Sequence, residues 1–404
     1  MMQEIKSGKQ QLLGINRNVF FLGVVSFFND FSHEMVKAVM PVFLTTVLGA
    51  TPAFVGFLDG AADAIASVLR LVSGWLSDKM GERKRIAVWG YLISVFTRWV
   101  LVFVTGIWQV FSLRVIDRVG KGVREAPRDA LISASVDDTE ASKSFGFQRA
   151  LDALGGVIGP LVALLVLPAV HENYRLFFII ASALGLLALG AFTFVKEVPI
   201  APGLRPQNPF STIFSLRHFD ARFRLYLLSV FMFGLGCMPV ALVVLRAQAL
   251  NCCDEGVPTL YLMYAVASWV AAAAAASIAN GMGRRRTIIL GFCIAVASYL
   301  VLAGSSTLYS MGIGIILFGI YSGITDGIQR AFASKLLANH HVGSGHGLLQ
   351  AAVGLSSLIA GTIGGLVWTT LGSTVAFFGG AGFMLLGLFA FMLVDYRQHE
   401  PVAR

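Results

Sequence analysis

The sequence predicts an all-α integral membrane protein with twelve transmembrane helices in two parallel-related six-helix bundles. Three observations carry that expectation. Hydrophobic residues make up 56% of the 404 and charged residues only 13%, about half the roughly 25% charged share of a soluble domain. The chain divides into twelve apolar runs, each long enough for the roughly 20 residues that a hydrocarbon core of about 30 Å requires of a helix. Lys and Arg recur in alternate connections and are missing from the short ones between them. One core cannot hide so much apolar surface in a chain of this length, so the solvent for it is lipid.

The runs lie near 18–48, 52–77, 86–104, 108–134, 145–168 and 173–195, then 223–250, 257–281, 286–304, 307–337, 346–370 and 373–394. In lipid a backbone is satisfied only inside helices or closed barrels, and these runs lack the alternation of barrel strands. The first run follows a polar segment with Lys6 and Lys9. It is too long for a signal-peptide core and has no small-residue cleavage pattern behind it, so it is expected to stay as a spanning helix.

Orientation follows from the basic residues, which stay on the cytoplasmic side. The amino terminus carries Lys6, Lys9 and Arg17, and the second connection Lys79, Arg83, Lys84 and Arg85. The fourth carries Lys121, Arg124, Arg128 and Lys143, and the eighth Arg284, Arg285 and Arg286. Both termini are therefore expected in the cytoplasm, with the chain in the cytoplasmic membrane. The net charge of +9 then reads as a topology signal, and no nucleic-acid partner is expected.

The stretch 196–222 breaks the rhythm with Pro199, Pro202, Pro206 and Pro209, as a linker does. The expected domains are an N-terminal bundle over 1–195, a cytoplasmic linker over 196–222 and a C-terminal bundle over 223–404. Shifting the second half back by 202 positions exposes a repeat. Met80-Gly81 with Arg83-Lys84 falls on Met282-Gly283 with Arg285-Arg286, Asp78 on Asn280, Arg128 on Arg330, Gln148 on Gln350 and Gly159 on Gly361. Each half has an even number of spans, so the copies share one orientation and are related by an axis along the membrane normal.

The stretch Gly74-Trp75-Leu76-Ser77-Asp78-Lys79-Met80-Gly81-Glu82-Arg83-Lys84-Arg85 resembles the loop between helices two and three of the major facilitator superfamily, G-x-L-a-D-r-x-G-r-k. Gly74 allows close approach of a neighbouring helix, Asp78 can cap or pair at the cytoplasmic mouth, and the basic cluster faces anionic headgroups. Glu82 stands where the family carries a basic residue. The degenerate counterpart, Asn280 to Arg286, occupies the matching place in the second half, so the resemblance spans the chain. It implies a monomeric two-bundle secondary transporter whose central solute site near the bilayer midplane alternates between faces. Gly74, Asp78, Gly81 and Arg83 would then belong to its gate.

Two further runs carry the resemblance. Asp117-Arg118-Val119-Gly120-Lys121-Gly122-Val123-Arg124-Glu125-Ala126-Pro127-Arg128-Asp129-Ala130 resembles a run in a group of bacterial members of that superfamily. It also matches the fourth-helix pattern R-x-x-q-G, with Arg118 as the Arg, Gly122 as the Gly and Lys121 in place of the Gln; the resemblance implies that Arg118 meets a protonatable carboxylate. Simple solvation of a helix end is the competing reading of Lys121, Arg124 and Arg128. Gly146, Gly155, Gly159 and Pro160 reproduce G-x8-G-x3-G-P, the pattern of the superfamily's antiporters, without its closing Gly-Gly. The resemblance implies export and puts Gly155, Gly159 and Pro160 among the gating residues; close helix packing accounts equally well for the small residues.

Charges inside spans are costly and mark function by default. Asp30, His33, Glu34 and Lys37 are spaced by three and four and share a helical face, with Asn29 beside it. Asp59, Asp63 and Arg70 share another, while Arg98 either packs or snorkels. Arg149, Asp152, Arg246, Asp326 and Arg330 lie in later spans. The expected transport and proton-coupling set is Asp30, Glu34, Asp63, Arg118, Asp326 and Arg330, with a structural ion-pair network as the alternative.

Other chemistry is disfavoured. Lys37 sits where H-E-x-x-H would need its second His, and no G-x-x-x-x-G-K-[ST] loop occurs. His340, His341 and His346 read as a solvated turn, and Cys237, Cys252, Cys253 and Cys293 show no paired spacing for a metal or disulfide framework. No metal, no cofactor and no enzymatic activity are expected. The expected function is secondary active transport of a small solute by proton-coupled efflux, with uptake of an anionic solute or metal chelate as the alternative. Its partners are the solute, protons and membrane lipids.

Overall fold

The computed structural model describes residues 11–12, 15–80, 83–136, 138–197, 219–249, 256–337 and 342–394, the side chains of 11, 70–80, 126, 138–139, 141–142, 249 and 342–344 excepted. A short antiparallel pairing of Gln11–Leu12 with Ile15–Asn16 precedes the first helix. Asn16 caps that helix, α1 (Arg17–Val42), by accepting from the Asn18 backbone N–H at 2.9 Å, as short polar residues do at helix starts. A π-helical turn, Phe43–Val47, closes it. There the hydroxyls of Thr45 and Thr46 bond back to the carbonyls of Pro41 and Val42.

The remaining helices of the first half are α2 (Pro52–Met80), α3 (Arg83–Val100), α4 (Ile107–Ser135), α5 (Asp138–Ala169) and α6 (Tyr174–Phe192). Pro52 opens α2, where a missing N–H costs nothing. The second half holds α7 (Ala221–Gly236), α8 (Val240–Ala249), α9 (Gly256–Met282), α10 (Arg284–Gly304), α11 (Leu308–Leu336), α12 (Val342–Leu371) and α13 (Ser373–Met392). Among the described residues ten spans are long and apolar enough to cross a membrane, with α7 and α8 together making one of them. The two long helices outside that set, α1 and α4, complete the twelve. They are the helices whose charges lower their hydropathy, for a reason given below.

The run 223–250 is expected as one helix, yet it is broken. α7 stops at Gly236, where the Cys237 N–H turns back to the Gly234 carbonyl at 3.0 Å. The Tyr299 hydroxyl accepts from the Met238 N–H at 2.7 Å. Pro239 has no N–H to donate, and its carbonyl restarts the ladder by accepting from Leu242 at 2.9 Å.

The chain forms two compact units, one of residues 1–51, 61–209 and 251–265, the other of 52–60, 210–250 and 266–404. In the first, α1 packs on α5 and α6, and α3 packs on α4 and α6. In the second, α7 packs on α12 and α13, and α10 on α11 and α13. Numbered from the start of each half, these are the same four pairs of spans. The repeat extends to single bonds. Arg83 Nη1 donates to the Ala130 carbonyl at 3.3 Å, as Arg284 Nη1 does to Ala331 at 3.1 Å. Lys84 Nζ reaches the Val195 carbonyl at 2.6 Å, as Arg285 Nη2 reaches Met392 at 2.7 Å. Cations near helix C-terminal carbonyls are favourable. These bonds pair Arg83 with Arg284, one position away from the 202-residue register, because α10 begins directly after Gly283 and Glu82 has no counterpart.

Candidate functional site: a buried charge cluster in the first unit

The basic run of α4 is spaced by threes and fours, so its charged side chains share a face. α4 reaches α3 closely because both helices carry glycine at the crossing. A Cβ on Gly120 would lie 2.8 Å from the Gly90 carbonyl, and one on Gly90 2.7 Å from that of Gly120. That approach lays Arg124 over the Tyr91 ring, 4.8 Å from its centroid, with its guanidinium donating to the Ser94 hydroxyl. Arg128 donates to Asp129 at 3.0 Å and to the Ser26 hydroxyl at 3.2 Å, and lies 3.8 Å from Asp152. Gln148 joins the same carboxylate, and Arg149 stands 4.0 Å from it. Arg124 and Arg128 are both buried, so they do not solvate a helix end. Lys121, 3.8 Å from Glu125, is half-buried.

The acidic face of α1 meets this cluster through the glycine pattern of α5. A Cβ on Gly155 would come 2.7 Å from the Phe27 carbonyl, and one on Gly159 2.8 Å from that of Phe31 and 3.0 Å from the Glu34 Cβ. Pro160, buried inside α5, follows directly. The antiporter-like pattern thus seats α5 against the helix face that carries Asp30 and Glu34.

Each acid on α1 has its own surroundings. Asp30 accepts from the Asn29 side chain at 3.0 Å. Asn29 in turn accepts two bonds from Arg98, at 2.8 Å on its side chain and 3.1 Å on its backbone carbonyl. Arg98 is 3% exposed, so it packs and does not snorkel. Glu34 lies 3.5 Å from Lys37 and accepts from the Tyr261 hydroxyl at 2.7 Å, while Lys37 also lies over the Tyr261 ring. Tyr261 comes from α9 in the second half of the sequence yet belongs to the first unit. His33 Nδ1 stands 3.7 Å from Asp117.

The other expected residues fall elsewhere. Arg118 is buried on α4, and its Nε has no hydrogen-bond partner. Asp63 is exposed on α2, its backbone carbonyl accepting from Ser67 at 2.9 Å. Asp326 and Arg330 belong to the second unit, where they pair at 2.6 Å with Asp326 largely exposed. Gly74 lies within α2, while the side chains of Arg70 and Asp78 lie outside the described residues, as do Gly81, Cys252, Cys253, His340 and His341. His346 bonds Ser334 at 2.8 Å. Among the described residues no cluster of three or more His, Cys, Asp or Glu is placed to hold a metal ion.

Sequence reasoning missed Tyr261, Tyr91, Ser94 and Ser26. Each is a lone hydroxyl in an apolar run, and its spacing carries no signal. They complete an arrangement in which Asp30, Glu34 and Asp152 each accept from, or lie beside, a donor or a cation.

The family model for the Major Facilitator Superfamily matches residues 22–279 and 240–404. A protein of Methanocaldococcus jannaschii described as an uncharacterised MFS-type transporter is 29% identical over 372 residues, 91% of this chain and 92% of that protein. The quinolone resistance protein NorA of Staphylococcus aureus is 27% identical over 178 residues, 43% of this chain and 44% of its own. Among solved structures, the nucleoside transporter NupG shares the fold with a TM-score of 0.79 at 14% identity, covering 94% of this chain and all of that one. With the twelve spans and the repeated packing, these matches show that the chain belongs to the major facilitator superfamily, as a multi-pass secondary transporter of small solutes and not an enzyme.

Proposed function

We propose that the chain exports a small organic solute across the cytoplasmic membrane by alternating access, in exchange for protons. The observation that carries this reading is the setting of Glu34, one turn from Asp30, where Lys37 and Tyr261 meet one carboxylate on the helix face that packs against Gly159. A carboxylate with one cation and one hydroxyl donor at hand can trade its proton against those partners. Asp30 is its neighbour in the relay, and Asp63, Arg118, Asp326 and Arg330 are further contributors. Gly155, Gly159 and Pro160 set the packing, with Gly74, Asp78, Gly81 and Arg83 at the gate.

Efflux is supported by the antiporter-like glycine pattern against those acids and by the partial similarity to a drug-resistance protein. The chain works as a monomer, as its resemblance to the superfamily implies, with both termini in the cytoplasm on the charge argument already made. A second reading, uptake of an anionic solute, is supported by the five basic against three acidic residues of α4.

The test is flux in proteoliposomes under an imposed pH gradient. Glu34→Gln is expected to abolish proton-driven movement while solute counterflow persists. Wild-type proton-driven flux in the variant would return Glu34 to a structural ion pair.

A further inference from the structure

The second unit holds a cavity of about 150 Å³ beside the break in its first span. Its floor is Gly236 and Met238, its walls include Gly364 and Val367 of α12, and Gly379 and Phe383 of α13 complete it. All twelve lining residues are apolar. The volume is about that of an engineered apolar cavity that binds benzene, and the lining side chains offer water no hydrogen-bond partner.

The mouth is continuous with the outer surface of two membrane-spanning helices. Ile363 and Phe383 at its edge are 54% and 44% exposed, and Leu366, Phe378 and Leu386 beside it are also exposed. In a bilayer that surface meets lipid chains. Moving a chain end from bulk hydrocarbon into the cavity gains no hydrophobic free energy, since lipid tails are as apolar as leucine. It gains the dispersion contacts that the lining otherwise lacks across a void.

We propose that this cavity is a binding site for the acyl chain of a membrane phospholipid, which seats against Gly236 and Met238 beside the break between α7 and α8. The site is independent of the charge cluster in the first unit and of any reading of solute or coupling ion.

The test uses the full chain in nanodiscs of an unlabelled phosphatidylcholine with a trace of the same lipid bearing a diazirine at the end of one acyl chain. After illumination, adducts are mapped by mass spectrometry. In the wild type they are expected on Met238 and Gly364 as well as on the outward-facing Leu366 and Leu386. Gly379→Leu fills the space from a position where a new Cβ meets nothing within 4 Å, and should remove the inner adducts while leaving the outer ones. Ile363→Ala, which widens the mouth without adding atoms, should increase the inner adducts and keeps the test open if the filled variant fails to fold. Inner adducts missing from the wild type, or unchanged in both variants, would overturn the proposal and leave the space to a non-lipid apolar ligand or to none.

Discussion

Tyr261 donates a 2.7 Å hydrogen bond to Glu34 across 227 positions of sequence, within a single compact unit. The two residues come from opposite halves of the chain, so no local pattern joins them. A hydrogen bond to a charged group is worth about 1.5–3 kcal/mol. Tyr261→Phe removes that donor and keeps the ring beneath Lys37. Solute flux is expected to persist with its pH profile displaced, in contrast to the loss expected for Glu34→Gln. An unmoved pH profile in proteoliposomes would separate Tyr261 from the coupling step.

The glycine pattern of α5 makes a prediction about stability. A side chain at Gly159 has no room, since its Cβ would already lie 2.9 Å from the Met35 nitrogen. Gly159→Val should destabilise the fold by about 1–3 kcal/mol, the usual cost of overpacking. Gly156, whose added Cβ would meet nothing within 4 Å, should accept Ala with no loss. Thermal unfolding of the two purified variants checks the contrast, and equal midpoints would mean that α1 and α5 have room to part.

Arg98 tests whether the α3 to α1 contact holds the acidic face in place. Its two bonds to Asn29 leave with Arg98→Ala, at about 1.5–3 kcal/mol for each charged donor. Arg98→Lys should recover only part, because an ammonium lacks the fork that serves both Asn29 oxygens. A wild-type unfolding temperature for the Ala variant would leave the contact without energetic weight.

Orientation is checked at two glycines with open space around them, Gly106 and Gly281. In a background without the four native cysteines, Gly106→Cys should react with a membrane-impermeant thiol reagent in intact cells. Gly281→Cys should react only in inverted vesicles. The reverse pattern would invert the topology read from the positive residues.

The amino-acid sequence by itself determined the membrane class, the helices and the twofold repeat. These rest on composition and on periodic apolar runs, which are local and survive without knowledge of any neighbour. Asp30, Glu34 and the glycines at 155 and 159 were legible for the same reason, since a charge or a glycine inside an apolar run departs from what lipid favours. The broken seventh span was written as Gly236 and Pro239, yet whether such a pair bends or breaks a helix depends on who satisfies the freed N–H, here the Tyr299 hydroxyl. Only tertiary structure decided that Arg124 and Arg128 are buried, that Arg98 clamps Asn29, and that Tyr261 completes Glu34. Such pairings are set by how closely helices approach, which depends on glycines facing each other on two helices at once, as Gly90 and Gly120 do.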